Sequence, residues 1–218
     1  VHTVFVKDGV RGRVGQAGPL NRARIVRAAM RVVERDGVEV LTMRRLADEI
    51  GTAPMSLYRH VADKREVLME LLEAVSRQIT GRRLPASPDP RRRLLDTVTV
   101  VHDVLEGNRW VVQAVLAVEE LPPSALHLSE HMFAAMREAG LDERAAAVAH
   151  TAIWHYTWGH VFFGHLSATS ARTYDQQEPA GRDGYEELAH VAPAMRELMT
   201  RDVFREGLEA MVDGFLAR

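Results

Sequence analysis

The run LTMRRLADEIGTAPMSLYRHVADKREVL, residues 41–68, contains two short helical segments on either side of a glycine. In the first, 42–50, Leu46, Ala47 and Ile50 share one face, and Thr42 offers its hydroxyl to the free amides of the first turn. Gly51 ends that segment. Pro54 then fits the first turn of a second segment of about two turns, where a missing amide hydrogen costs nothing. Asp63 opens a longer helix, with Glu66 three residues on completing a capping box and Val67, Leu68, Leu71, Leu72, Val75 and Ile79 as its apolar side up to Gly81. Two short helices joined by a tight glycine turn have the spacing of a helix-turn-helix, whose second helix can enter a DNA major groove. The same spacing occurs in all-α proteins without a DNA partner, so spacing alone leaves both readings open.

Outward from this run the helical period continues. Before it, residues 20–36 place Ile25, Ala29, Val32 and Val33 on one face, with Gly37 as the stop. After it, residues 82–90 hold three prolines and form the best linker in the chain. Longer helices follow at 90–106, 109–119, 122–139, 142–168 and 200–217, with Gly140 as a C-cap. The polar stretch 169–184, with Pro179, Gly181 and Gly184, reads as a loop ahead of a shorter helix at 185–199. No segment alternates as paired strands do. The expected fold is all-α: a flexible arm over 1–19, a three-helix helix-turn-helix domain over 20–81, and a larger helical domain over 82–218.

Composition narrows the chemistry. The chain has no cysteine, which excludes a disulfide framework, a thiolate nucleophile and Cys-based zinc or iron–sulfur sites. Net charge is only −2, but its distribution is uneven. Residues 1–83 carry 16 Lys+Arg against 10 Asp+Glu, whereas 84–218 carry 12 against 20. A basic first third suits a part that meets phosphates, although solvated helix faces also carry uneven charge. The opening residues have no apolar run long enough for a signal peptide or a membrane span, so a cytoplasmic protein with no membrane partner is expected.

The residues of the opening run are more specific than its spacing. Thr42, the Leu46–Ala47 pair, the Gly51 turn, LYRHV at 57–61 and Lys64 resemble the TetR family of bacterial repressors. The long helices past the linker resemble, in pattern, the C-terminal domain of the tetracycline-repressor type. The resemblance implies a homodimer that binds palindromic operator DNA through the first domain and is released by a small-molecule effector in the second. It assigns phosphate contacts to Tyr58, His60 and Lys64, whose hydroxyl, imidazole and ammonium groups fix register without reading sequence. Base contacts are expected from Arg44 and from Thr52, Pro54, Met55, Ser56 and Arg59, with Thr42 opening the helix that carries Arg44. An arginine fork can hold guanine O6 and N7 together. Arg45 reads instead as a solvated or phosphate-facing charge. Pro54 and Met55 offer apolar contact to a thymine methyl, or serve as helix-start and packing residues. Ala53 departs from the family, where many members have a capping side chain, so the helix start rests on Thr52 or on a DNA phosphate. Arg11 and Arg13 could reach a minor groove or belong to a leader without a role.

In the second domain, Leu94, Val98, Val101, His102 and Leu105 line one helix face, with an imidazole set in an apolar stripe. Together with the resemblance, this makes His102, Leu105, Trp110, Gln113, Met132, Met136, Trp154 and Trp158 the candidate ligand-binding residues. Aromatic and methionine side chains suit a hydrophobic or aromatic effector, while ordinary core or dimer packing explains any one of them equally. Trp154, Trp158 and Phe162 recur every four residues and should stack. By the family pattern, the helices at 142–168 and 200–217 dimerise, the latter through Val203, Phe204, Leu208, Met211, Val212 and Phe215.

Neither a cofactor nor a metal is expected. His150, His155, His160 and His165 are spaced by five, which turns each about 140° from the last and denies them a common helix face. His127 and His131 have the right spacing but no completing carboxylate. The alternatives are a DNA-binding regulator whose second domain serves protein interaction or activation, and a hydrolase using the histidines with Ser129, Ser167 or Asp103. No nucleophile elbow or phosphate loop supports the hydrolase.

Overall fold

The structure, a computed structural model, describes residues 19–81, 84–176, 184–198 and 203–217, and among them every regular element is an α-helix. These are α1 (Arg22–Asp36), α2 (Met43–Ile50), α3 (Pro54–Leu57), α4 (Lys64–Thr80), α5 (Pro90–Glu106), α6 (Trp110–Val118), α7 (Ala125–Glu138), α8 (Glu143–Gln176), α9 (Glu186–Leu198) and α10 (Phe204–Leu216). None of them is long and apolar enough to cross a membrane.

The helix starts expected from sequence are made as side-chain caps. Thr42 accepts from the Arg45 amide at 3.0 Å and Asp63 from the Glu66 amide at 2.8 Å. Glu66 returns the capping box one residue early, taking the Ala62 amide at 2.5 Å. Gly51 adopts the left-handed conformation, φ 75° and ψ 45°, and with Thr52 donates back to Ala47, which turns the chain sharply into α3. The regular part of α3 is one turn; beyond Leu57 the chain continues as hydrogen-bonded turns, with the His60 and Val61 amides donating to the Leu57 carbonyl.

Two packed groups of side chains hold the molecule. The first joins α1 to α4 around Ile25, Leu46, Leu57, Val61, Leu68 and Leu71 and runs on without a break into α5 and α6 through Val101, Leu105 and Val111. The second closes α5, α7, α8 and α10 around Leu94, Val98, Met132, Met136, Ile153, Phe204 and Leu208. Tyr156 of α8 locks α10 in place by donating to the Phe204 carbonyl at 2.9 Å, and Arg91 clasps Asp213 at 2.5 and 2.8 Å.

Sequence and structure part company at three helix boundaries. The loop expected at 169–184 is helical to Gln176, because nothing before Pro179 breaks a helix and a polar stretch can simply be a solvated one. The rest of that loop, residues 177–183, lies outside the described residues. The helix expected from 122 begins at Ala125, with Pro122 and Pro123 spent on the preceding turns. The last helix begins at Phe204 rather than 200, and residues 199–202 lie outside the described residues, as do 1–18, which hold Arg11 and Arg13.

Candidate functional site

Most arginines of the first four helices are engaged within the protein. Arg31, Arg35 and Arg45 converge on Asp36 and Glu49, and Arg22 pairs with Glu66 and Glu70. Hydrogen bonds from Arg35 hold the Asp36 and Glu49 carboxyls below the usual carboxylate range, so this network stays ionised. Three arginines differ, and one of them, Arg27, is on α1 rather than on α2 or α3. Arg44 on α2 and Arg59 just past α3 are exposed, and among the described residues neither has an ion-pair or hydrogen-bond partner. Met55 is 75% exposed and Tyr58 48%, while Leu57 between them is fully buried and fastens this face to the core. The Lys64 ammonium donates to the Val38 carbonyl at 2.9 Å, which leaves two of its three donors for another partner. The result is an exposed ridge of unengaged cations, a hydroxyl and apolar side chains on a short helix.

A cavity of about 510 Å³ opens between α4, α5, α6, α7 and α8. Leu72, Val75, Ser76 and Ile79 of α4 form one wall, Val101 and Leu105 of α5 another, and Trp154 and Trp158 of α8 face them. Leu121 and Leu126, both more than half exposed, flank its mouth. Polar groups are few. His150 is the main one: the Trp154 indole N–H donates to its Nε2 at 2.7 Å, Ser129 Oγ lies 3.0 Å from the same nitrogen, and Phe133 stacks on the ring. A mostly apolar enclosure with a small set of orienting polar groups is the ordinary form of a small-molecule site.

Comparison with known proteins gives a family for both parts of the chain. Residues 25–71 match the model of bacterial regulatory proteins of the tetR family, and residues 84–218 match that of the tetracyclin repressor-like C-terminal domain. The chain belongs to the TetR family. This TetR-family protein is 33% identical over 144 residues to an HTH-type transcriptional regulator of Saccharopolyspora erythraea, covering 65% of the chain and 60% of that relative. It is 32% identical over 135 residues to the HTH-type transcriptional repressor DrrR1 of Streptomyces coeruleorubidus, covering 61% of the chain and 50% of that relative. The chain thus aligns with between half and three-fifths of the length of these two. Among solved structures, one described as a possible TetR family transcriptional regulator from Streptomyces coelicolor A3(2) superposes with a TM-score of 0.77 at 25% identity, covering 90% of this chain and 99% of that one.

In this TetR-family fold nine of the ten residues expected at DNA fall on α2, α3 and the flanking turns, and Lys64 is the first residue of α4. Arg45, expected to be solvated or facing phosphate, is instead half-buried in the Asp36–Glu49 network and ties α2 to α1. The candidate ligand residues divide. Leu105, Trp154 and Trp158 line the cavity, and the two indoles stack at 6.2 Å. Trp110 and Gln113 line a separate cleft between α1 and α6, and Phe162 turns to that cleft too, pairing with Phe163 instead of continuing the stack. Met132 and Met136 are buried in the second core group, and His102 packs against Phe204.

Missed at the sequence level were the α4 residues, His150, Ser129 and His155 of the cavity wall. Val75 and Ile79 belong to an amphipathic stripe, which does not say whether the partner is core or cavity. Spacing along a helix relates its histidines only to one another.

Burial lowers the affinity of His150 for a proton below the ordinary imidazole value of 6.5. The neutral ring is also the form that can accept the Trp154 N–H. A group depressed in the folded state contributes stability that is present above the unfolded value and lost as pH falls below it. Melting temperature is therefore expected to drop between pH 7 and pH 5, with a shallower drop in His150→Gln. Parallel profiles for the two proteins, measured by thermal denaturation, would contradict this assignment.

Proposed function

We propose that this TetR-family regulator represses transcription as a cytoplasmic homodimer, holding palindromic operator DNA through α2 and α3 and releasing it when a hydrophobic or aromatic small molecule fills the α4–α8 cavity. The observation that carries the reading is the double role of α4. Its first half is bound to the DNA-reading unit through the Arg22 pairs with Glu66 and Glu70, and its second half is a wall of the cavity. Ser124, at the start of α7, donates to Glu73 from both its amide and its hydroxyl, so α4 is also tied to the cavity mouth. An occupant that moves α4 must move the reading helices with it, and a ligand shifts the equilibrium by its differential affinity for the two positions.

Arg44 and Arg59 read bases, and Tyr58, His60 and Lys64 hold phosphates, with Thr52, Pro54, Met55 and Ser56 at the groove floor. This divides the chain into a DNA-binding part to residue 81 and an effector and dimerisation part from 82. Support for the dimer comes from α8 and α10. Val148 is 51% exposed, Met211 and Phe215 are partly buried against the second core group with some surface left uncovered, and Gly159 and Gly214 face open space, which leaves room for close approach of a second copy. Two copies would set their reading helices about 34–36 Å apart, one DNA turn.

The test is a mobility shift on the promoter fragment next to the gene encoding this protein. Retention is expected at low salt, and Arg44→Ala should weaken it by roughly 5- to 150-fold per half-site, the equivalent of about 1–3 kcal/mol. Compounds found by thermal-shift screening of hydrophobic and aromatic molecules should release the fragment. Failure to retain any such fragment would end the regulator reading, and retention that no stabilising compound relieves would end the effector part of it.

A further inference from the structure

We propose that His102, Glu106 and His160 form a binding site for one divalent transition-metal ion of the zinc class, joining the last turn of α5 to α8. His102 and Glu106 stand one turn apart on α5 and share a face, and His160 comes across from α8. His102 Nε2 and His160 Nδ1 are 3.0 Å apart, and one donor atom from each of the three residues lies within 4.8 Å of the others. Two nitrogens bound to one tetrahedral zinc at about 2.0–2.1 Å would stand about 3.3 Å apart, so the imidazoles need to separate by only a few tenths of an ångström.

Three independent features favour an ion over a plain histidine pair. The first is Glu106: Oε2 is held by Arg109, but Oε1 is buried with no hydrogen-bond partner, which is costly for a carboxylate oxygen. The second is the other side of His102, where Nδ1 lies 3.5 Å from Asp103 Oδ1. An outer carboxylate on the far nitrogen of a liganding imidazole fixes its tautomer and raises its basicity, and it is a regular companion of metal-bound histidine. The third is the enclosure: His102 is 5% exposed and stacks on Phe204 at 3.7 Å, which shields one side of the site from solvent. Two imidazoles and one carboxylate select zinc-like ions over magnesium or calcium and leave a fourth position for water. The ion would brace α5 where it turns into α6, the helix that packs on α4, and so would stiffen the element through which the cavity reaches the DNA-reading unit.

The full chain, stripped with chelator, is to be titrated with Co²⁺ followed by absorbance and with Zn²⁺ followed by calorimetry. One ion per chain is expected, with the intense visible bands of four-coordinate cobalt. His160→Gln and His102→Gln should each weaken Zn²⁺ binding by more than the roughly 10- to 100-fold that loss of an outer-shell contact produces, and Glu106→Gln by at least about 10-fold. His127→Gln, on the exposed face of α7, should bind as wild type. Far-UV circular dichroism without metal checks that each variant folds. If a histidine variant does not, Glu106→Gln, at the partly exposed rim, decides the matter. A wild-type chain that takes up no ion at micromolar metal, an ion retained equally by all three variants, or an ion lost in His127→Gln would overturn the proposal.

Discussion

Leu57→Ala is expected to destabilise the protein by about 2–5 kcal/mol and to abolish operator retention. Leu57 is fully exposed to the core and not at all to solvent, and it is the one buried residue of α3. That helix has a single regular turn and no capping side chain at Ala53, so it has little stability of its own. Contacts of the Leu57 side chain with the α1–α4 core therefore set the position of everything the short helix displays. Domains of this kind are stable by only about 5–15 kcal/mol, so the substitution removes a large fraction of the total. Met55→Ala is the contrasting case. Its side chain is 75% exposed, and removing it should leave stability within about 0.5 kcal/mol while weakening DNA binding alone. Urea unfolding followed by circular dichroism, beside mobility shifts, separates the two. An unchanged urea midpoint for Leu57→Ala would show that α3 is anchored by something other than this leucine.

The contrast between these neighbours also marks what a sequence can and cannot reveal. Leu57 and Met55 are similar in hydrophobicity, yet one is core and the other three-quarters exposed. Helical period separates them only because Leu46, Ala47 and Val61 define the inner face. Caps at Thr42 and Asp63 were legible because their chemistry is local, a hydroxyl or carboxylate reaching amides three residues on. Arg45 was not legible. Glu49 stands one turn on in the same helix, but Asp36 belongs to α1, and only the packing of α1 on α2 brings it to the guanidinium. The cavity was legible in kind but not in membership. An aromatic stripe such as Trp154 and Trp158 marks a face, whereas the gap it borders depends on where α4 and α7 stop short of it. The meeting of His102 with His160 is the clearest case: rotation along α8 relates the histidines of that helix only to one another and carries no information about a partner on α5.

Operator affinity is expected to fall by about three orders of magnitude between 50 and 200 mM salt if the protein binds as a dimer, with a slope of log K against log salt near −5. The magnitude follows from which cations remain available. Arg31, Arg35 and Arg45 are occupied by Asp36 and Glu49, and Arg22 by Glu66 and Glu70, so they cannot displace counterions without breaking pairs already made. Arg44 and Arg59 are exposed and unpaired among the described residues, and the Lys64 ammonium keeps two free donors. These three cations per protomer become six in a dimer, and each one that displaces a counterion, whether it lies over a base edge in the groove or against a phosphate, contributes roughly −0.9 to the slope. A single protomer would bring three, giving a slope near −2.7 and a loss of only about 40-fold over the same range. Lys64→Ala should shift the slope by about 2 in the dimer and about 1 in a monomer, because the residue is counted once per copy. Fluorescence anisotropy on a labelled operator measures these slopes directly. A slope near zero would mean that the ridge around α3 does not meet the phosphate backbone at all, whereas the full slope with an unchanged Lys64→Ala value would move the contacts to other cations.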